Sequence, residues 1–245
     1  MTNRVALVTG GMGGIGNAIC KALGKAGHTV VTTYSKPGRE DAWVAEMKTL
    51  GISAHAYPCD VTDAAQCAAL VAQVSSEIGP VAVLVNNAGI TRDGTLRKMS
   101  AEDWSAVLAT NLDSVFFMAR PVIDGMLDAG WGRIINISSI NGQKGQFGQT
   151  NYSAAKAGMH GFTMALAQEV ARKGVTVNTI SPGYIATEMV MAVPEDVRNK
   201  IIGQIPVGRL GTPEEIAGLV TYLASDIAGF ITGANLSING GQHTM

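Results

Sequence analysis

Tyr152 and Lys156 stand four positions apart in Asn151-Tyr152-Ser153-Ala154-Ala155-Lys156. On a helix that spacing places a phenol and an ammonium on one face, roughly 6 Å apart along the axis. A lysine ammonium beside a phenol stabilises the phenolate, so the pair predicts a tyrosine with a lowered pKa that gives and takes a proton near neutral pH. Taken alone, Tyr-x-x-x-Lys fits a surface lysine beside a half-buried tyrosine just as well. The rest of the chain has to supply the context.

A second constellation is glycine-rich. Val5-Ala6-Leu7-Val8-Thr9 is a continuous apolar run, Gly10-Gly11-Met12-Gly13-Gly14-Ile15-Gly16 follows it, and Ala18, Ile19, Ala22, Leu23 and Ala26 come next at helical spacing. Strand, glycine turn and helix is the context a bound pyrophosphate needs, because helix-start N–H groups approach it closely only where no Cβ intervenes. Thr29 to Tyr34 reads as the second strand, after which NAD binders commonly place a carboxylate on the ribose hydroxyls. Here Ser35, Lys36 and Arg39 follow, with no carboxylate before Glu40. Cations there favour a 2′-phosphate, so NADPH is the expected cofactor, with NADH as the alternative.

These groups need a scaffold, and the composition bounds it. The 245 residues suit one larger α/β domain or two small ones, and no linker argues for two. A chain that is 47% hydrophobic, 15% charged and 5% aromatic, with 30 glycines, fits a buried parallel sheet joined by tight turns. A net charge of −1 gives no general attraction for nucleic acid or an anionic membrane. Cys20, Cys59 and Cys67 are odd in number and lack metal-ligand spacing, and the four histidines are scattered, so no metal site is expected and the setting is a reducing one. Met1-Thr2-Asn3-Arg4 runs straight into the first strand, leaving no room for a signal peptide, and no apolar run approaches membrane-spanning length. A cytoplasmic, soluble protein is the expectation.

The elements alternate along the chain. Ala42 to Leu50 is amphipathic and stops at Gly51; Ile52 to Pro58 alternates like a third strand; Asp63-Ala64-Ala65-Gln66 has a capping-box pattern and opens a helix to about Ile78. Val81 to Val85 is a fourth strand ending in Asn86-Asn87-Ala88-Gly89. A long helical segment from Ser100 toward Gly130 contains Asn111, and a fifth strand, Gly132 to Ile137, delivers Ser138 and Ser139. Asn141 to Thr150 reads as a Gly/Gln-rich loop before the Tyr152 helix, and Val175 to Ser181 as a sixth strand turned outward by Pro182-Gly183-Tyr184. Residues 185–206 lack a clean period and are expected to form a mobile lid. Thr212-Pro213-Glu214-Glu215 signals a helix start, and Asn235 to Ile238 a last strand. The predicted fold is a single Rossmann-type, doubly wound parallel sheet of about seven strands with helices on both faces. Right-handed crossovers then put every strand's C-terminal end, and the ligand, along one edge.

Read together, Thr9-Gly10-x-x-x-Gly14-x-Gly16, Asn86-Asn87-Ala88-Gly89, Asn111, Ser139, Tyr152-x-x-x-Lys156 and Pro182-Gly183 resemble the short-chain dehydrogenases/reductases over nearly the whole chain. Within that family the chain is most similar to the bacterial acetoacetyl-CoA reductases of polyhydroxybutyrate synthesis. Trp131-Gly132-Arg133-Ile134, the run Asn141 to Gln149 and Pro182 to Thr187 carry that likeness. The 3-oxoacyl-[acyl-carrier-protein] reductases share many of these residues and are the alternative. A non-catalytic, dinucleotide-sensing module is a remoter one, whose mark would be loss of Tyr152 or Lys156; both are present.

The resemblance implies roles. Tyr152 would protonate a ketone oxygen, Lys156 would lower its pKa and bond the nicotinamide ribose, Ser139 would hold the same oxygen, and Asn111 would keep a water for proton resupply. Ser138 is the rival to Ser139. Neighbouring strand residues face opposite ways, so only one points at the substrate, and the family's gap of thirteen residues to the tyrosine selects Ser139. The family also favours the frame Gly10-x-x-x-Gly14-x-Gly16 over the overlapping Gly11-x-Gly13-x-x-Gly16. Gly13, Gly14 and Ile15 would surround the pyrophosphate, Asp60 and Val61 the adenine, Asn87, Ala88 and Gly89 the ribose, and Pro182, Gly183, Tyr184 and Ile185 the nicotinamide. Asp93, Gln146, Phe147, Gln149 and Tyr184 are substrate candidates for an acyl-CoA, although Phe147 and Tyr184 also fit core or oligomer contacts. The implied assembly is a homotetramer.

Overall fold

A computed structural model describes residues 3–244, so Met1 and Thr2, which lead into the first strand, lie outside the described residues. Seven parallel strands make one sheet in the order β3-β2-β1-β4-β5-β6-β7. They are β1 (Val5–Val8), β2 (Thr29–Tyr34), β3 (Ala54–Pro58), β4 (Val81–Asn86), β5 (Gly132–Ile137), β6 (Val175–Pro182) and β7 (Asn235–Ile238). The strands are short, apolar and β-branched because both sheet faces are covered. Every residue of β1, β5 and β6 is buried.

Alternation of side chains divides the interior into two cores. Ala6, Val8, Val85, Ile135 and Ile137 face one side, where α1 (Gly14–Lys25), α2 (Glu40–Thr49) and α10 (Pro213–Leu223) pack. Val5, Leu7, Leu84 and Ile134 face the other, under α3 (Ala64–Glu77), α5 (Ser114–Ala129) and α7 (Thr150–Val170). Leu7, Leu23, Leu84 and Ile134 are fully buried, and each such side chain contributes about 1.5–3 kcal/mol through apolar burial. The strand order reverses between β1 and β4, so their C-terminal ends diverge and leave a crevice there.

Local chemistry sets the element ends. Thr212 accepts from the Glu215 N–H while Glu215 accepts from the Thr212 N–H, the reciprocal box expected at α10. Asp63 caps α3 through the N–H groups of Ala65 and Gln66, but Gln66 Oε1 accepts from the Asp60 N–H (3.1 Å) and its Nε2 donates to Asp63 Oδ2 (2.9 Å), so the Asp63 N–H is not part of a reciprocal box. The Gly/Gln-rich segment after β5 is not all loop: Ile140–Lys144 forms a single turn, α6, started by the Ser139 hydroxyl. The long helical segment is broken into α4 (Ala101–Leu108) and α5 by a wide π turn, Ala109–Asp113. Asn111 Nδ2 takes the Val107 carbonyl (2.9 Å), which an unbroken α-helix would give to the Asn111 backbone N–H. Residues 185–206 carry two short helices, α8 (Glu188–Met191) and α9 (Glu195–Ile202).

One expectation is overturned by α4 and α5 together. Ala101–Ala129 is long and apolar enough to cross a membrane, with a mean hydropathy of 1.3 in its most apolar stretch. Its Val115, Met118, Ala119, Val122 and Met126 are buried in the core beneath the sheet.

Candidate active site

A cleft of about 1010 Å³ opens at the diverging ends of β1 and β4. Its floor is the glycine turn and the start of α1. Gly13 takes an extended conformation at the helix N-cap, and no side chain among the described residues caps that end, so the first-turn N–H groups are left for a ligand. Gly10 and Gly14 have positive φ (65° and 37°), the two positions singled out by the favoured frame. At Gly16 a Cβ would collide with the Gly10 carbonyl oxygen and lie 2.7 Å from Asn87 Nδ2, while one at Gly13 would meet nothing within 4 Å. The turn is held from β2: the Thr32 hydroxyl accepts from the Gly11 N–H (2.7 Å) and donates to the Val8 carbonyl (2.9 Å), and Thr33 accepts from the Gly10 N–H (3.1 Å). Across the crevice the Thr9 hydroxyl accepts from the N–H groups of Asn87 and Ala88, both at 3.0 Å.

The far wall carries the cations. Lys36 and Arg39 line the cleft, and the first carboxylate after them in the chain, Glu40, is turned back onto the N–H groups of Gly38 (2.6 Å) and Arg39 (2.8 Å). Asp60 is held in the wall by Thr62, whose N–H and hydroxyl donate to Oδ1 at 2.9 and 2.7 Å. Uncapped N–H groups, a wall free of side chains at Gly13 and two cations at one end fit an anionic dinucleotide. The predicted cofactor residues Gly10, Gly13, Gly14, Ile15, Gly16, Lys36, Arg39, Asp60, Val61, Asn87, Ala88 and Gly89 all line this cleft; Tyr152, Lys156, Pro182, Gly183 and Ile185 lie outside its lining. Ile185 is buried with its side chain in the α1/α10 core, so it has only backbone to offer there. Gly183 stands where a Cβ would come within 2.8 Å of the Asn239 Cα.

The reacting end is built by β5, the π turn and α7. Asn151 anchors the helix start, accepting from the Tyr152 N–H (2.7 Å) and donating to the Arg92 carbonyl (3.0 Å). One turn on, Lys156 Nζ lies 5.6 Å from the Tyr152 ring centroid and donates to the Ile137 carbonyl at 2.8 Å. The predicted depression of the phenol does not appear in this arrangement. Burial raises the Tyr152 pKa; the hydrogen-bonding Ser139 hydroxyl works against that, and the Asp93 charge adds to it. Burial also lowers Lys156, to about 7. The ammonium sits over the ring, away from water, so desolvation pushes both groups toward their neutral forms and the phenol keeps its proton.

Ser138 and Ser139 part as the strand alternation requires. Ser138 turns inward, donating to the Lys156 carbonyl (2.8 Å) beside His160. Ser139 Oγ accepts from the Asn141 N–H (3.1 Å), which leaves its own hydrogen free to donate. Asn111 is fully buried; its Nδ2 is spent on Ile90 and Val107, and its Oδ1 has no hydrogen-bond partner among the described residues. A Cβ on Gly89 would sit 2.5 Å from that oxygen and 3.6 Å from Lys156 Nζ, so the glycine keeps open the gap between Asn111 and Lys156. A buried acceptor of this kind calls for a water or a ligand.

The substrate candidates separate. Gln149 donates to Asp93 at 2.9 Å, and Tyr184, half-buried, has its pKa raised by burial and by the Asp93 charge. Gln146 and Phe147 are exposed, Phe147 at 87%. Sequence reasoning gave no role to Thr32, Thr33, Asn141 and Asn151, which support the functional groups. Thr187 and Glu188, from the expected lid, line the cleft as well.

Comparison with known proteins agrees with this geometry. A family model described as short chain dehydrogenase matches residues 4–198. The chain is 59% identical to an acetoacetyl-CoA reductase of Cupriavidus necator over 244 residues, 99% of each chain. It is 55% identical to nodulation protein G of Azospirillum brasilense, covering 98% of both. A 3-oxoacyl-[acyl-carrier-protein] reductase of Pseudomonas aeruginosa is 44% identical, over 99% of this chain and 98% of that one.

Proposed function

The chain belongs to the short-chain dehydrogenase family and is a nicotinamide dinucleotide-dependent oxidoreductase, and on that premise we propose that it reduces the 3-keto group of acetoacetyl-CoA with NADPH, giving (R)-3-hydroxybutyryl-CoA for polyhydroxybutyrate synthesis. The observation that carries the reaction is the half-buried Tyr152 phenol, its pKa raised by burial, next to the Ser139 hydroxyl that hydrogen-bonds it. The acyl-CoA substrate rests on relatives named acetoacetyl-CoA reductase at 55–59% identity. NADPH over NADH rests on Lys36 and Arg39 and on the engaged Glu40 carboxylate.

When bound, the cofactor supplies the hydride. Ser139 donates to the ketone oxygen and so stabilises the charge that develops there. Tyr152 transfers its proton to that oxygen as it becomes an alkoxide; burial, which raises the phenol's pKa, keeps it protonated until then. Lys156, one turn along α7, then stabilises the phenolate left behind, and a water held at Asn111 Oδ1 hands on the replacement proton. Thr187 and Glu188 at the cleft wall support reading the segment 185–206 as the lid of a single domain.

Apolar side chains left on the surface support a homotetramer in the cytoplasm: Trp104, Phe116 and Met164 on α4, α5 and α7, and Ile227 and Phe230 before β7. The Pseudomonas relative supports a second reading in which the acyl group rides on acyl carrier protein. A four-way assay crossing the two carriers with NADPH and NADH decides both questions. Fastest turnover with acetoacetyl-CoA and NADPH is expected; a preference for the protein carrier moves the assignment to the second reading, and oxidation of neither cofactor refutes both.

A further inference from the structure

Asn141 is buried, has no role assigned from the sequence, and touches two parts of the site. Its backbone N–H donates to Ser139 Oγ at 3.1 Å, and its Nδ2 donates to Gln149 Oε1 at 2.9 Å. Gln149 passes the chain outward, donating from Nε2 to Asp93 Oδ2 at 2.9 Å. The direction of this chain is forced. A carboxylate only accepts, so Gln149 turns its NH2 toward Asp93; its oxygen then faces inward, and only a donor at position 141 satisfies it there.

We propose that Asn141 is a positioning residue: by fixing the amide orientation of Gln149 it holds the Asp93 carboxylate at the mouth of the site and so governs acceptance of the 3-keto acyl substrate. The role in substrate acceptance rests on the reading of the substrate given above. Two further observations place this wall beside the chemistry. The Gly94 N–H donates to the Gly148 carbonyl at 2.8 Å, pinning the Asp93 loop to the Gln149 loop. The Asp93 charge also raises the pKa of both Tyr152 and Tyr184, so it lies within electrostatic reach of the two phenols. Asp93 itself is exposed, and Gln149 is the one side chain among the described residues that bonds its carboxylate. If Gln149 turns, nothing else holds Asp93 there.

The test exploits direction. Asn141→Asp makes both ends of the chain acceptors, and Gln149 has a single NH2 to give. The buried end is the costlier one to leave unmet, so Gln149 turns inward and Asp93 swings into solvent. We expect the KM for acetoacetyl-CoA to rise about tenfold or more, the effect of one unmet buried partner, with kcat changed less and the NADPH fluorescence titration unchanged. Combining Asn141→Asp with Asp93→Asn reverses the whole chain and satisfies every link, so the double variant should have a lower KM than Asn141→Asp alone. Asn141→Leu removes the donor without burying charge, keeps the fold testable if the aspartate variant does not fold, and should also raise KM. An unchanged KM in Asn141→Leu, or a double variant as impaired as the two single losses combined, overturns the proposal. A crystal structure of Asn141→Asp, or of Asn141→Leu in its place, separates this failure from that of the substrate assignment. Gln149 turned away from Asp93 supports the proposal whichever substrate proves right, and Gln149 unmoved overturns it even if wild-type enzyme reduces acetoacetyl-CoA.

Discussion

Lys156→Met should make the ligand-free protein more stable at neutral pH while abolishing turnover. Lys156 is 3% exposed and its pKa falls from 10.5 to about 7 on burial. At pH 7 that difference costs the folded state about 4 kcal/mol relative to a group that never charges. The sign is that of a depressed pKa: stability is complete above 10.5 and is lost as pH falls toward 7. Methionine removes the penalty but also removes the 2.8 Å bond to the Ile137 carbonyl, and leaving that carbonyl unmet costs about 1–3 kcal/mol. The variant should therefore be more stable than wild type by about 1–3 kcal/mol at pH 7, or roughly 2–10 °C in Tm for a chain of this size. Near pH 10.5 the order should reverse, because the charge penalty has gone and the lost bond remains. The raised Tyr152 pKa weakens both proteins at high pH and cancels in their difference. The assay is thermal melting of both proteins from pH 7 to 10.5 at one protein concentration, since assembly shifts Tm by mass action. A gap independent of pH, or a variant melting below wild type at pH 7, would refute the desolvation argument. Saturating NADP+ should narrow the gap at pH 7 by giving the wild-type ammonium a partner.

Three further outcomes are expected. Tyr152→Phe should bind NADPH within about twofold of wild type and lose on the order of 10²–10⁴ in kcat, because only the proton-donating oxygen is gone; most of the turnover surviving would move the acid elsewhere. Arg39→Glu should raise the KM for NADPH about tenfold or more and leave that for NADH nearly unchanged, since one charge-assisted contact to a 2′-phosphate becomes repulsive; equal effects on both cofactors would take Arg39 out of the phosphate site. Gly16→Ala should weaken NADPH binding by about tenfold or more in a fluorescence titration, because its Cβ would press on the Gly10 carbonyl and come within 2.7 Å of Asn87 Nδ2; unaltered affinity would show that the turn yields.

The glycine cradle was legible because glycine reports on backbone. Gly10 and Gly14 take positive φ, and Gly11 and Gly16 are positions a Cβ would jam, so residue type and geometry carry the same information. Buried parallel strands are legible for a similar reason: Thr29–Tyr34 and Gly132–Ile137 are continuous, β-rich runs between punctuating turns. The π turn at Asn111 was not, since it arises when a side-chain amide captures the Val107 carbonyl, and periodicity does not record which way an amide points. Nor was α6, a single turn in a Gly/Gln-rich segment. It is set by the Ser139 hydroxyl and by α7 lying so close that a Cβ on Gly142 would come within 2.8 Å of the Lys156 backbone carbon. The charge state of the Tyr152 pair was misread for the deepest reason. Spacing gives proximity, but desolvation depends on residues distant in sequence, Ile137 and the π turn among them, that close over the pair.

What fixes α7 against the sheet is itself polar. Asn86, Asn136 and Thr179 lie in register across β4, β5 and β6. Asn86 Nδ2 donates to Asn136 Oδ1 and Asn136 Nδ2 to Thr163 Oγ1, both at 2.9 Å, and Thr163 and Thr179 share a bond of 2.7 Å. Thr163 sits on α7 seven residues, about two turns, beyond Lys156 and so on the same face. Apolar contacts alone tolerate a helix that slides or rolls slightly, because dispersion and burial have no strong direction. A fully satisfied buried chain does not, because each misplacement strands a donor or an acceptor in a dry interior. The two asparagines and two threonines thus act at a distance on the chemistry: they fix the rotation of the helix that carries Tyr152 and Lys156, and that rotation decides whether the phenol meets Ser139. Placing the two asparagines in strands costs β propensity, and the cost makes sense where the position of one oxygen sets the rate.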